Sequence, residues 1–419
     1  MLLSAARPFL ERSGTLLALL LLARLAFLAF MPSTYAFDLH AWVNVVRACE
    51  HGGNPYVLTD HLVYLPLWPA VLRALALVNT TTGVPLIVCL QFFLIAVDAV
   101  NLMLVHRLIT RSGRSSVATN ALVFGMVLSP MGILLTMQHG NFDSLVATWL
   151  LLFLDAWWSY IGSRSPRSWL LACFFLGMGV LTKTVPMVMA PALLLGHWKK
   201  APRTAILGVL AFIGPTVVSL LPFVTTDPQI VVQRVLSYHS YSGWFGITGL
   251  LGLSGFDGAM RLYVQAGRLI MIGLMAVATW LILSRPKVDG PWMLRLLLAL
   301  LLGIIVFGPG YSPQYIGWYM PLLVLLYALA GVGERRWLAS AYVIGTCTHL
   351  VEYALIPSHG AFLLHWTSNP GIVHLSETLR EPGAQTILRI PLYVAYIATL
   401  FIVSRPLFEK RSWRTSPAN

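Results

Sequence analysis

The chain has 419 residues, 58% of them hydrophobic and only 10% charged, with a mean hydropathy of +0.76. Soluble domains carry about 25% charged residues, so this composition excludes an ordinary globular fold and predicts an all-α, polytopic integral membrane protein. A net charge of +13 would suit nucleic acid in a soluble protein, but here the basic residues fall in short loops between apolar stretches. There they orient the chain and meet anionic headgroups, so membrane lipid is the expected partner and nucleic acid is not.

A bilayer crossing takes about 20 mostly apolar residues. The hydropathy pattern predicts twelve, at 15–31, 84–105, 117–136, 142–161, 169–182, 186–196, 203–221, 259–283, 292–308, 314–330, 337–356 and 385–403. The first contains Arg24 and lacks a small-residue cleavage site, which predicts a retained helix rather than a cleaved signal. Residues 62–78 are apolar but hold Pro66, Pro69 and Arg73, and a crossing there would turn Arg107, Arg111 and Arg114 outward. They are predicted to form a helix at the outer interface instead. The Lys183-Thr184-Val185-Pro186 break between two short apolar segments predicts irregular backbone buried in protein at membrane depth. Arg24 and Asp98 both lie inside crossings, where an ion pair with a structural role is expected.

With the N-terminus inside, 19 of the 28 Lys and Arg fall on the cytoplasmic side. That asymmetry predicts a cell-membrane protein with both termini cytoplasmic and a single transmembrane domain over 1–419. Three long loops, 32–83, 222–258 and 357–384, then face outward. They concentrate Trp, Tyr, His and acids, including Trp42, Asp60, His61, Trp244, His359 and His365. An interfacial aromatic belt explains most of these, although loops on a rigid helical frame also collect binding and chemistry. The four cysteines, Cys49, Cys89, Cys173 and Cys347, show neither metal-ligand spacing nor a disulfide framework. His40, His51 and His61 lack the tight spacing of a zinc site.

The run Asp38, Trp42, Gly52-Gly53-Asn54-Pro55-Tyr56 and Tyr64-Leu65-Pro66-Leu67 resembles the first extracytoplasmic loop of GT-C glycosyltransferases. Within that class it looks like the bacterial polyprenyl-phosphate-mannose-dependent α-mannosyltransferases, and it is similar to the GPI-anchor mannosyltransferase that adds the first mannose. Three later stretches agree: QHGNFDSL at 138–145, LTKTVP at 181–186 and SPQYIGWYMPLL at 312–323. One departure is that Leu39 and His40, not a second acid, follow Asp38.

The resemblance implies transfer of a sugar, mannose first, from a polyprenyl-phosphate donor to a hydroxyl of a glycolipid or glycan acceptor at the outer face. It implies inversion at the anomeric carbon and Asp38 as general base. The absence of a second acid beside Asp38 and of any tight His/Asp/Glu spacing points to no metal or other cofactor. Lys183 and Arg234 would meet the donor phosphate, while His139, Asn141, Asp143, Tyr64, Gln314, Tyr315 and His239 would contact substrate. Each residue also has a plain structural reading. Asp38 could cap the helix that WVNVVRACE would form, Lys183 could snorkel to the interface, and Arg234 could sit on an amphipathic surface helix. Asn141 or Asp143 could cap the fourth crossing, and Tyr315 could belong to the belt. A secondary transporter or lipid-linked-sugar flippase is the rival class. It would show internal repeats and midplane charges, whereas here the halves are not self-similar and the polar residues gather in the outer loops.

Overall fold

The computed structural model describes residues 13–30, 37–50, 54–60, 62–113, 120–198, 201–225, 227–236, 242–285, 287–359 and 361–409. Among these residues there is helix and no strand, as the hydropathy pattern predicts. The first helices are α1 (Ser13–Phe30), α2 (Phe37–Glu50), α3 (Leu67–Thr82), α4 (Leu86–Arg111), α5 (Asn120–His139) and α6 (Asp143–Ser163). They are followed by α7 (Pro166–Thr182), α8 (Ala190–Trp198), α9 (Pro202–Val224), α10 (Pro228–Leu236), α11 (Gly246–Leu253) and α12 (Asp257–Gln265). The last six are α13 (Gly267–Leu283), α14 (Gly290–Phe307), α15 (Ile316–Leu329), α16 (Val332–Leu355), α17 (Pro370–Thr378) and α18 (Pro382–Phe408).

Seven of these, α1, α4, α5, α6, α9, α14 and α18, are long and apolar enough to cross a bilayer, and α12 with α13, bent by 50° at their junction, passes only as a pair, as a broken span or a re-entrant loop. The remaining four expected crossings are helical, but α7, α8 and α15 are short. α16 has the length but carries Glu334, Arg335, Arg336 and Glu352. Among the described residues, length and composition alone therefore support seven crossings, or eight with α12 and α13 taken as one span, where the hydropathy pattern predicts twelve. The interfacial helix expected at 62–78 begins later, at Leu67. Pro66 and Pro69 fit only its first turn, because neither has an N–H to donate further in. α3 ends at Gly83, whose φ of +73° is the left-handed cap a glycine adopts without strain.

Burial divides the helices by role. α14 is 89% buried while α9 is 6% buried. An apolar helix enclosed by protein forms the centre of the bundle, and an equally apolar one with open faces meets lipid. α15 joins α14 at the centre, α6 packs against α4, α7 and α15, and α18 closes over α14 and α16.

α5 is not a regular helix. It runs through two π-helical stretches, Val123–Val127 and Leu134–His139, on either side of Ser129-Pro130. Pro130 has no N–H for the carbonyl of Met126, so the backbone there needs an outside donor. Arg24 from α1 supplies it: its guanidinium donates to Met126 O at 3.1 Å and Val127 O at 2.5 Å, and to Asp98 Oδ2 at 3.0 Å. The intramembrane pair expected from the sequence is present, and it has a further use in stitching a broken helix.

Candidate active site

The second π-helical stretch of α5 ends at Gly140, whose φ is +64°. A Cβ at that position would lie 2.1 Å from Leu39 Cδ2, so only glycine admits the close approach of α2. Trp42, one turn on from Asp38, donates its indole N–H to Gly140 O at 3.0 Å. Its ring packs edge-on against Trp68 of α3 and Phe142, with centroids 5.4 and 5.5 Å away. Tyr56 donates to Tyr64 O at 2.7 Å and fixes the segment between α2 and α3. These contacts pin the first turn of α2 against the end of α5, and that places Asp38.

Asp38 does not cap its own helix. Its Oδ2 lies 3.1 Å from His139 Nε2 and accepts from Asn141 Nδ2 at 2.5 Å. Asn141 has a second task, since its Oδ1 accepts from the Asp143 N–H at 2.8 Å at the start of α6. The capping use expected for Asn141 and its use beside Asp38 are thus met by two ends of one amide. Among the described residues, none donates a hydrogen bond to Asp38 Oδ1. Burial raises the Asp38 carboxyl, but the adjacent His139, with help from Asn141 and Lys183, outweighs it and holds the group below its ordinary range. The first turn of α2 adds its dipole in the same direction.

The Asp38 side chain is 16% exposed and opens on a cavity of about 400 Å³. Trp42, Tyr64, His139, Asp60, Trp244 and Gln314 line it with Asp38. Tyr311, His359 and Arg389 line it as well. Arg389, from α18, donates to Trp244 O at 2.9 Å and to Glu352 of α16. Glu352 is fully buried and also meets His349, whose Nε2 lies 3.5 Å from the Tyr311 hydroxyl. Two cavity-lining groups, Arg389 and Tyr311, are therefore joined through a buried carboxylate and imidazole. Burial pushes the pKa of His359 down to about 3, and its Nδ1 has no partner among the described residues. His359 is a neutral ring at physiological pH.

The other residues singled out in the sequence divide into groups. Tyr64 and Gln314 line the cavity. Lys183 sits at the end of α7 with its Nζ 2.8 Å from Asp143 Oδ1 and 3.1 Å from Oδ2. Its ammonium also lies 4.8 Å from the Trp318 ring, 5.1 Å from Tyr315 and 5.4 Å from Tyr64. The anion that Lys183 meets is thus Asp143, which is fully buried and does not line the cavity. Arg234 on α10 pairs with Asp60 at the cavity's edge. His239 and His61 lie outside the described residues. Among the described residues, no group of three or more His, Cys, Asp or Glu side chains could hold a metal ion.

Arg389, Glu352, His349 and Tyr353 are the residues that sequence reasoning passed over. All lie inside segments read as crossings, or at their ends, where an ionisable side chain is itself a signal of function. Arg24 and Asp98 carry the same signal.

Comparison with family models and with curated proteins finds no match. Among solved structures, the chain is similar to ArnT from Cupriavidus metallidurans, bound there to undecaprenyl phosphate, over 93% of this chain and 77% of that one. The identity is 14% and the TM-score 0.43, a likeness that bears on neither the fold nor the chemistry of this protein.

Proposed function

We propose that the chain is a membrane glycosyltransferase. It moves a sugar, mannose by the resemblance of its motifs, from a polyprenyl phosphate to an acceptor hydroxyl on the non-cytoplasmic side. The observation that carries this reading is the half-engaged carboxylate. Asp38 has one oxygen held by two neighbours and no described donor on the other, and its side chain lines a cavity that Arg389 lines as well.

In the proposed step the acceptor oxygen forms a bond to the anomeric carbon while its proton passes to Asp38 Oδ1. The bond from that carbon to the phosphate oxygen breaks, and its electron pair leaves with the polyprenyl phosphate. Attack opposite the leaving group inverts the configuration, so a β-linked donor yields an α-linkage. Oxocarbenium character in the transition state is favoured by the nearby Asp38 carboxylate, and the phosphate by a cation that is fixed in advance. Arg389 suits that cation best, because it lines the cavity and Glu352 and Trp244 O fix its fork. Lys183, already matched by Asp143, would contribute potential from behind Asp38, and Arg234 would stand at the mouth through Asp60.

The test is sugar transfer from synthetic polyprenyl-phosphate-mannose by the purified full-length protein. Asp38→Asn and Asp38→Ala should lower kcat by about 10² to 10⁴, the usual worth of a positioned base. Turnover like wild type in a folded Asp38→Asn removes the mechanism. Success only with another sugar on the same lipid changes the sugar and keeps the class. Movement of intact donor across sealed vesicles, with no product formed, hands the case to a flippase.

A further inference from the structure

The proposed mechanism leaves unused the group on the far side of His139. Its Nδ1 lies 2.6 Å from the hydroxyl of Tyr353, a fully buried residue on α16. We infer that Tyr353 and His139 form a positioning relay for Asp38: the tyrosine donates to Nδ1, so that the imidazole presents Nε2–H to the carboxylate and keeps Oδ1 turned to the acceptor. The inference rests on the reading of Asp38 as the base.

The direction of the relay follows from counting protons. When His139 is uncharged, its imidazole carries one N–H and one lone pair, whereas an imidazolium would donate from both nitrogens. With the proton on Nδ1, the Nε2 lone pair would face a carboxylate oxygen at 3.1 Å, and two acceptors would be opposed. With the proton on Nε2, both contacts are hydrogen bonds, provided the Tyr353 hydroxyl is the donor. Among the described residues the hydroxyl has His139 as its one hydrogen-bond partner, so no competing acceptor takes its proton. The ring of His359 packs against both members, with centroids 6.1 Å from His139 and 5.6 Å from Tyr353. This is the arrangement by which an outer group fixes the tautomer of a working histidine, here with a carboxylate in the place of a metal.

The relay predicts how Asp38 titrates. Asp38 faces His139, Lys183, Asp143 and Tyr353, and Asp60, His359 and Arg389 line the same cavity. Tyr353→Phe removes one hydroxyl and leaves the ring packing and every charge in place. The N–H of His139 is then free to move to Nδ1, and Asp38 loses a donor for part of the time. Its folded pKa must rise, so the acid limb of the rate profile moves to higher pH.

The test measures transfer against pH in bilayer-embedded full-length protein, for wild type, Tyr353→Phe, His139→Gln, His139→Ala and Asp38→Asn. Tyr353→Phe should lower kcat about 10-fold, the low end of what outer-shell partners contribute, with little change in KM. His139→Gln keeps an amide donor and should retain more activity than His139→Ala. In ¹⁵N spectra of histidine-labelled protein at neutral pH, the signal lost in His139→Gln should report an Nε2–H tautomer, and Tyr353→Phe should mix it with the other. A wild-type pH profile and kcat in Tyr353→Phe, or an imidazolium or Nδ1–H signal for His139, overturns the relay. If Asp38→Asn turns over like wild type, the reading of Asp38 has failed instead, and the two failures are distinguishable.

Discussion

Gly140 shows how one small residue sets the site. Its left-handed backbone and the 2.1 Å that a Cβ would leave to Leu39 make two separate demands for glycine. Gly140→Ala should therefore lose about 1–2 kcal/mol to backbone strain alone and also lift α2 from its seat. Asp38 would move with α2, so transfer should fall by more than the fraction of protein unfolded. Adding Leu39→Ala restores the space and leaves the strain. The double variant should regain activity while its thermal midpoint stays low, and equal recovery of both would contradict this account. Asp38 also makes a statement about pH. Its carboxyl is held below the ordinary value near 4. Transfer should survive as pH falls through that value and decline only as the lower, folded pKa is passed. The stability contributed by the paired carboxylate has the same sign: present above the unfolded pKa, lost as pH falls through the folded one.

Breaks in helices locate most of what matters at the next scale. α5 breaks at Ser129-Pro130 and ends at Gly140, while α7 ends at Lys183. Each break in α5 leaves backbone groups that must be satisfied by protein, and Arg24 and Trp42 meet them from far away in sequence, while the Lys183 side chain at the end of α7 is held by Asp143. Arg24→Met removes the donor to two carbonyls and leaves Asp98 as an unpaired buried carboxylate. Removal of one partner of such a pair costs about 3–5 kcal/mol, and Arg24→Met with Asp98→Asn should cost less than Arg24→Met alone. Unfolding in a mild detergent series would read this. If the double variant is the less stable, the pair is not what holds the break. The same elements show what the sequence made legible. Arg24 and Asp98 could be matched because two opposite charges in apolar crossings have few other partners. The π-helical course of α5 could not, because Ser-Pro inside an apolar run does not say how the chain continues. Arg389 and Glu352 carried the same intramembrane signal, but a lone charge in a helix does not say which neighbour it faces. His139 and Asn141 were found as members of a motif, and their shared partner, about a hundred residues upstream, came only with the docking of α2.

For the whole molecule, the cavity lies where α5 ends and α6 begins, and the charge of the loops predicts which side that end faces. Asp143 opens α6 and Lys183 follows the end of α7, and the two side chains touch. The helices are therefore antiparallel, and the loop between them, at 163–166, lies at the opposite end. α7 has 17 residues, and at 1.5 Å per residue it spans about 26 Å, close to the hydrocarbon thickness it must cross. This is why a helix too short to qualify alone still returns the chain to the cavity's side. Thr80, at the end of α3, is separated from Ser163 by α4, α5 and α6, an odd number of crossings, so the two must face opposite compartments. The excess of Arg and Lys predicts that Ser163 faces the cytoplasm. In a background with Cys49, Cys89, Cys173 and Cys347 replaced, Thr80→Cys should react with an impermeant maleimide in intact cells. Ser163→Cys should react only after permeabilisation. Reversal of both would put the cavity on the cytoplasmic side and rule out a donor presented outside, and labelling of both from one side would mean that one of α4, α5 and α6 does not cross.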